Sequence, residues 1–204
     1  MRFLEEEAPV PQTKASMDVL QAIRERRSIR SYAAQKVDRA SVEALLAAAV
    51  RAPTAVHEEP WAFVVVQDTA VLKRISDRAK PLFAEQVHRA HLDRGGHELH
   101  IFESPSFNIF YDASTLIVIC AAPAGPFVQA DCWLAAENLI LAAWGLGLGT
   151  CVVGSALPVL NRAQVKAEIG IPAHYEAIAP IIVGIPRGAT PISPRKAPRV
   201  LAWK

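Results

Sequence analysis

Cysteine is scarce in this chain. There are three in 204 residues, at positions 120, 132 and 151. They are odd in number, lie in apolar surroundings and form no Cys-x-x-Cys, which points away from a disulfide framework and toward a reducing, cytoplasmic setting. No apolar run reaches the ~20 residues that a membrane-spanning helix needs. The opening Met1-Arg2-Phe3-Leu4-Glu5-Glu6-Glu7 is acidic and has no hydrophobic centre, unlike a secretion signal. Charge of one sign is missing as well. Lys and Arg number 22 against 20 Asp and Glu, a net charge of +2, and outside the termini the signs are interleaved. That argues against nucleic acid as a partner. There is no internal repeat. The chain as a whole is 51% hydrophobic and 21% charged, and is long enough for one domain that buries roughly 70% of its unfolded surface.

Helices and buried strands alternate. Ser16 is placed to cap a helix carrying Val19, Leu20 and Ile23 on one face. Asp38 or Ser41 caps the next, in which Val42, Leu45, Leu46 and Ala49 recur at helical spacing until Pro53. Ala62–Val66 reads as a strand, and Thr69 as the cap of a helix through Leu72 and Ile75. From Pro81 to Phe107 the pattern dissolves into a polar, histidine-rich segment. Thr115–Ala121 is a buried strand. Asp131–Trp144 is a helix apolar nearly all round, which must be enclosed by its own domain or by a partner subunit. A further helix is expected over Leu157–Ile169 and a last strand over Ala177–Ile185, before a proline-rich extended tail.

Four clusters stand out. Glu25-Arg26-Arg27-Ser28-Ile29-Arg30-Ser31-Tyr32 packs three arginines and two serine hydroxyls into residues 26–31, donors suited to a phosphate; cations at a solvated helix end are the plainer reading. Ala52-Pro53-Thr54-Ala55-Val56-His57-Glu58-Glu59-Pro60-Trp61 is a rigid turn whose small residues leave amides accessible. Gly145-Leu146-Gly147-Leu148-Gly149-Thr150 fails as a dinucleotide fingerprint, because a helix precedes the glycines and a strand-like run follows. It reads instead as a helix end turning tightly into a strand. Beyond it Val152-Val153-Gly154-Ser155 presents backbone amides with no bulk at Gly154, suited either to a flat ligand or to a packed turn. The tail Pro191-Ile192-Ser193-Pro194-Arg195-Lys196-Ala197-Pro198-Arg199 carries three cations among prolines and is equally consistent with a disordered basic tail.

Taken in order, "ERRSIRSY", "APTAVHEEPW" followed by "FVVVQD", "YDASTLIVI", "DCWLAAENLILAAWGLGLGTCVVG" and "IVGIPRGATPISPRKAP" resemble the flavin-dependent nitroreductase family over about residues 16–204. The resemblance implies an α+β fold: a central, mainly antiparallel sheet flanked by helices, with one long buried helix at a dimer interface. It implies a short N-terminal extension (1–15), a single FMN-binding domain (16–204) and a variable lid-like segment (81–107). It further implies a homodimer holding flavin mononucleotide (FMN) at the subunit interface. Electrons would pass from NADH or NADPH through flavin N5 to nitroaromatics, quinones or related small acceptors, in ping-pong fashion. Carried over position by position, Arg26, Arg27 and Ser28 match residues that hold the FMN phosphate and ribityl chain. Arg30 matches a cation near the N1/C2-carbonyl edge. Pro53, Thr54 and Ala55 match a turn packing on the flavin from the partner. Val153 and Gly154 match amides facing N5 and the C4 carbonyl, and Arg195 and Lys196 match a pair closing on the phosphate. His57 and Glu59 stand where the family has Asn and Gln, exchanging amides that both donate and accept for groups with a different hydrogen-bonding repertoire.

Two alternatives belong to other classes. His88-x-x-His91 and His97-x-x-His100, with Glu85, Asp93 and Glu98 among them, have the spacing of a metal site on a helix face, although Gly95-Gly96 separates the pairs. The same flavin-site residues would equally serve a protein that stores or senses FMN without turnover.

Overall fold

In the computed structural model the residues described are 18–89, 104–123, 125–191 and 194–204. The chain builds helix α1 (Val19–Glu25), α2 (Arg39–Ala49), a 3-10 turn (Ala55–His57), strand β1 (Trp61–Val66), α3 (Thr69–Arg89), β2 (Thr115–Ala121) and α4 (Val128–Gly145). It continues through β3 (Gly149–Val152), a 3-10 turn (Gly154–Ala156), α5 (Leu157–Leu160), α6 (Ala163–Ile169) and β4 (Glu176–Gly184). The strands form one antiparallel sheet in the order β1-β2-β4-β3.

The sheet is buried on both faces, and the period of two along β2 shows how. Leu116, Val118 and Cys120 join the core under α3, α5 and α6; Ile117, Ile119 and Ala121 join the core under α2 and α4. A register shift after Ile119 in the β2–β4 pairing adjusts that alternation. Every residue of β2 is buried, so the run is continuously apolar in sequence. Helix α4 buries Cys132, Ala135, Ala136, Leu139 and Ala143 against the sheet and α2. Its other face leaves Trp133 40% and Leu134 46% exposed. The expected enclosure of this helix is therefore only half supplied by its own chain.

Several local expectations are corrected. Ser16 lies outside the described residues, and α1 is capped by Asp18, whose carboxylate accepts from the Leu20 amide. Asp38 caps α2, accepting from the Ser41 amide at 2.8 Å. Asp68, not Thr69, caps α3, accepting from the Ala70 and Val71 amides; a carboxylate at a helix start gains from the dipole as well. Helix α3 runs through Pro81 to Arg89, where the sequence pattern had dissolved. Proline removes one amide from a helix interior, but Ile75 and Ala79 are already fully buried on its inner face. The single helix expected over Leu157–Ile169 is two, because the Asn161 side chain leaves the helix to pair with β4. It donates to the Ala177 carbonyl and accepts from the Ala177 amide at 2.8 Å.

The glycine run behaves as a helix end turning into a strand. Gly147 is left-handed at φ 74°, the Leu148 amide donates back to Ala143, and β3 begins at Gly149. Among the described residues no helix is long and apolar enough to cross a membrane.

Candidate functional site

The arginine cluster is positioned by its neighbours on the sheet. Residues 28–33 run beside β3 and the end of β4: the Ile29 amide donates to Thr150, the Ala33 amide to Ile185, and the Arg187 amide to Ser31. The close approach depends on two glycines that pair across β3 and β4, Gly149 and Gly184. A Cβ on Gly149 would lie 2.8 Å from Ile29 Cβ, and one on Gly184 would lie 2.6 Å from Tyr32 Cδ1. Ile29 and Tyr32 fill the space the glycines leave, and the Tyr32 hydroxyl donates to the Ile29 carbonyl at 2.6 Å. Burial, the largest influence on that phenol, pushes its pKa well above the ordinary range.

With Ile29 and Tyr32 turned inward, their neighbours face outward. Ser28 and Arg30 are exposed, Arg26 and Arg27 half-buried. Arg26 Nε sits 3.8 Å from Glu137 of α4. Arg27 Nη1 donates to the carbonyls of Arg24 and Arg26 at 2.8 Å. Its Nε is buried with no hydrogen-bond partner, a donor short of an acceptor.

Beside this edge is a cavity of about 160 Å³ lined by Arg30, Phe107, Tyr111, Cys151, Val153 and Gly154, among others. The Arg30 guanidinium carbon lies 5.9 Å from the Tyr111 ring centroid, over its face, and the Phe107 ring meets Tyr111 edge-on at 5.6 Å. Burial raises the Cys151 and Tyr111 ionisations; the Arg30 charge opposes it at both. The Val153 amide donates to Pro180 at 2.9 Å and so is committed to the sheet. Gly154 is exposed, and a Cβ there would meet no atom within 4 Å.

The turn at 53–60 is elsewhere. Val56, His57 and Glu59 hold left-handed φ of 47°, 59° and 44°, unusual for residues with a Cβ. The Ala55 amide donates to both carboxylate oxygens of Asp131 at 3.3 Å. Asp131 is only 5% exposed and occupies the first turn of α4, where the dipole favours its charge. Ala55, Val56, Glu58, Phe127 and Asp131 line a second cavity, of about 200 Å³, which shares no residue with the cavity at Arg30. Pro53 and His57 are exposed and Thr54 half-buried.

Within one chain, therefore, Arg26, Arg27, Ser28 and Arg30 gather at one edge with Val153 and Gly154, whereas Pro53, Thr54, Ala55 and His57 stand apart. Arg195 and Lys196 are exposed on the tail. Among the described residues no hydrogen bond or ion pair ties either to the arginine cluster.

Reading the sequence overlooked Tyr111, Cys151 and Asp131. Only the last left a trace, an acid at the start of an apolar helix. His91, His97 and His100 lie outside the described residues, as does most of the segment 81–107 that is not α3. Among the described residues no three His, Cys, Asp or Glu are grouped to hold a metal ion.

The model of the nitroreductase family matches residues 23–185. The chain belongs to the nitroreductase family. A protein of Methanothermobacter thermautotrophicus, provisionally named as an NADH dehydrogenase/NAD(P)H nitroreductase, is 32% identical over 178 residues, covering 84% of this chain and 79% of that one. An iodotyrosine deiodinase of Thermotoga neapolitana is 25% identical over 84% of this chain and 90% of its own. Among solved structures, a Bacteroides fragilis nitroreductase with bound FMN superposes with a TM-score of 0.75 at 24% identity, covering 92% of this chain and 98% of that one. The chain thus has the nitroreductase fold, α+β with an antiparallel sheet flanked by helices.

Proposed function

We propose that this member of the nitroreductase family is an FMN-dependent oxidoreductase. In this reading it passes electrons from NADH or NADPH to a nitroaromatic, a quinone or a related small acceptor. The observation that carries the reading is the buried, unpartnered Arg27 Nε beside Arg26 and the exposed Ser28. Three donor side chains there suit a phosphate, and a phosphate oxygen would satisfy the orphan Nε–H. The cavity next to it agrees with a flat ring: Gly154 leaves open space where any side chain would intrude, and Arg30 supplies a cation at its rim.

When bound, FMN supplies the two-electron chemistry, taking hydride from the nicotinamide and passing it to the acceptor. The residues of the chain bind and tune. Arg26, Arg27 and Ser28 would hold the phosphate end, with Arg195 and Lys196 closing over it from the tail. Arg30 would stand at the N1/C2-carbonyl edge, where its charge stabilises negative charge gained on reduction. The Gly154 amide would face the C4-carbonyl side, and the neighbouring Val153 amide keeps that segment in register with Pro180. No side chain need act as an acid or base for hydride delivery, and one open face used in turn by donor and acceptor gives ping-pong kinetics.

The homodimer belongs to the same proposal, with residues 16–204 as its repeating domain. Val19, Leu20 and Ile23 of α1, Trp133 and Leu134 of α4, and Leu201 and Trp203 of the tail are exposed, apolar surface that a second copy would cover. The separation of Pro53, Thr54, Ala55 and His57 from Arg30 within one chain agrees with a site completed by the partner's turn. The test is spectral. The purified protein, reconstituted with FMN, is expected to bind it near one per chain and to bleach on anaerobic addition of NADH or NADPH. Absence of bound flavin absorbance with excess FMN at neutral pH defeats the proposal; uptake without bleaching leaves a flavin-storing protein.

A further inference from the structure

We infer that Tyr111 is a positioning residue that holds Arg30 at the rim of the cavity through the face of its ring. This rests on the proposed FMN site and names a residue within it that neither the motifs nor the family comparison assigns. The Arg30 guanidinium has many solvated rotamers open to it, because the residue is exposed. It contacts the Tyr111 ring, 5.9 Å from guanidinium carbon to centroid, within the range where a cation on an aromatic face is held, and it also reaches the Tyr111 hydroxyl and the Cys151 thiol.

The ring is itself fixed from three directions. Phe107 meets it edge-on. The backbone delivering it is unusual, with Tyr111 and Asp112 at φ 52° and 56°; consecutive left-handed residues with side chains persist only where the surroundings over-determine them. Asn108 does so: its carbonyl accepts from the Tyr111 amide at 2.8 Å, its side-chain oxygen accepts from the Phe110 amide, and its Nδ2 donates to the Asp112 carboxylate.

Behind Phe107, Lys80 is 8% exposed. It donates to the carbonyls of Ser104, Pro105 and Phe107 and pairs with Asp77 at 3.0 Å. A buried ammonium with four oxygen partners ties the segment to α3. The order of support therefore runs from α3 through Lys80 to Phe107, Tyr111 and finally Arg30.

The physical consequence concerns reduction. A cation held at the edge that gains charge favours the reduced form; one free to swing into solvent favours it less. The readout is the ratio of affinities for reduced and oxidised FMN, obtained from the midpoint potential of the bound flavin. Arg30→Gln is expected to lower that ratio about ten-fold, which for a two-electron couple is about 30 mV. Tyr111→Leu is expected to lower it by at least about three-fold, as loss of a contact of the strength of a cation–π pair implies. Tyr111→Phe keeps the ring and removes only the hydroxyl, and is expected to lower the ratio less than Tyr111→Leu does. In the double variant, Tyr111→Leu is expected to add nothing to Arg30→Gln. Should Tyr111→Leu not fold, Tyr111→Gln removes the ring with a polar chain.

Wild type that binds no FMN defeats the cofactor reading itself. Wild type that binds FMN, with the ratio unmoved in Tyr111→Leu or lowered as much in Tyr111→Phe, overturns the role of the Tyr111 ring alone. Full additivity in the double variant overturns it equally.

Discussion

The Gly149–Gly184 pair allows a sharp test of how the arginine segment is mounted. An alanine at Gly184 would bring its Cβ to 2.6 Å from Tyr32 Cδ1 and 3.2 Å from Cγ and Cε1. The ring cannot retreat easily, being 5% exposed with its hydroxyl donating to Ile29. At Gly149 the new Cβ would lie 2.8–2.9 Å from three carbons of Ile29, whose backbone is tied to Thr150. Overpacking of this kind costs about 1–3 kcal/mol. Against it stands a gain of about 0.4–1 kcal/mol from a stiffer unfolded chain, so a net loss of about 1–2 kcal/mol is expected for each. For a chain of this size that lowers Tm by roughly 2–8 °C. Gly154→Ala is the control: its Cβ meets nothing, and its stability is expected within about 0.5 kcal/mol of wild type. The assay is urea and thermal unfolding of flavin-free protein at one fixed concentration, since bound ligand and association both shift apparent stability. In a Tyr32→Ala background the Gly184→Ala penalty is expected to vanish, the two sites being in contact. Gly184→Ala as stable as wild type, or a penalty unchanged without the Tyr32 ring, refutes the mounting.

Gly154→Ala, though neutral for folding, is expected to weaken FMN uptake in an apo-protein titration. Replacing Arg26 or Arg195 by alanine is expected to raise the FMN dissociation constant roughly ten-fold, the loss of a charge-assisted contact of about 1.5–3 kcal/mol; wild-type affinity in both variants removes support for the phosphate assignment. Light scattering of the FMN-bound protein is expected to give twice the chain mass of 22.1 kDa, and a monomer counts against the shared site. At alkaline pH, burial pushes the Cys120 thiol from 9.0 to about 12 and Cys132 from 9.0 to about 11. The folded state favours the protonated thiols, so their contribution is whole below pH 9 and is lost progressively as pH rises from there toward 11–12. The urea midpoint is expected to fall more steeply above pH 9 in wild type than in Cys120→Ala/Cys132→Ala, and equal slopes contradict it.

The elements whose identity local pattern decides were legible without coordinates. Thr115–Ala121 is an unbroken apolar run bounded by turn residues, and it forms β2 with those limits. Asp38 before an apolar repeat is a capped helix start, because the carboxylate and the first amides are close in sequence. The glycine run was readable as a turn, since left-handed backbone is a local demand. The clusters flanking the sheet were also visible as chemistry: three arginines and a serine have a meaning that needs no fold.

What only tertiary structure decided is whatever depends on partners distant in sequence. Asn161 breaks a helix because β4 offers it an amide and a carbonyl at Ala177, 16 residues on. Gly149 and Gly184 look like any turn or strand glycines until pairing sets them opposite each other under Ile29 and Tyr32. Tyr111 meets Arg30 from 81 positions along the chain, and Asp131 meets Ala55 across a separation of 76. Helix α3 outran its sequence pattern, continuing past Pro81 with Leu82 packed partly buried against the core. Local energetics write themselves into neighbouring letters, whereas a packing contact is a property of two surfaces that the chain brings together only once folded.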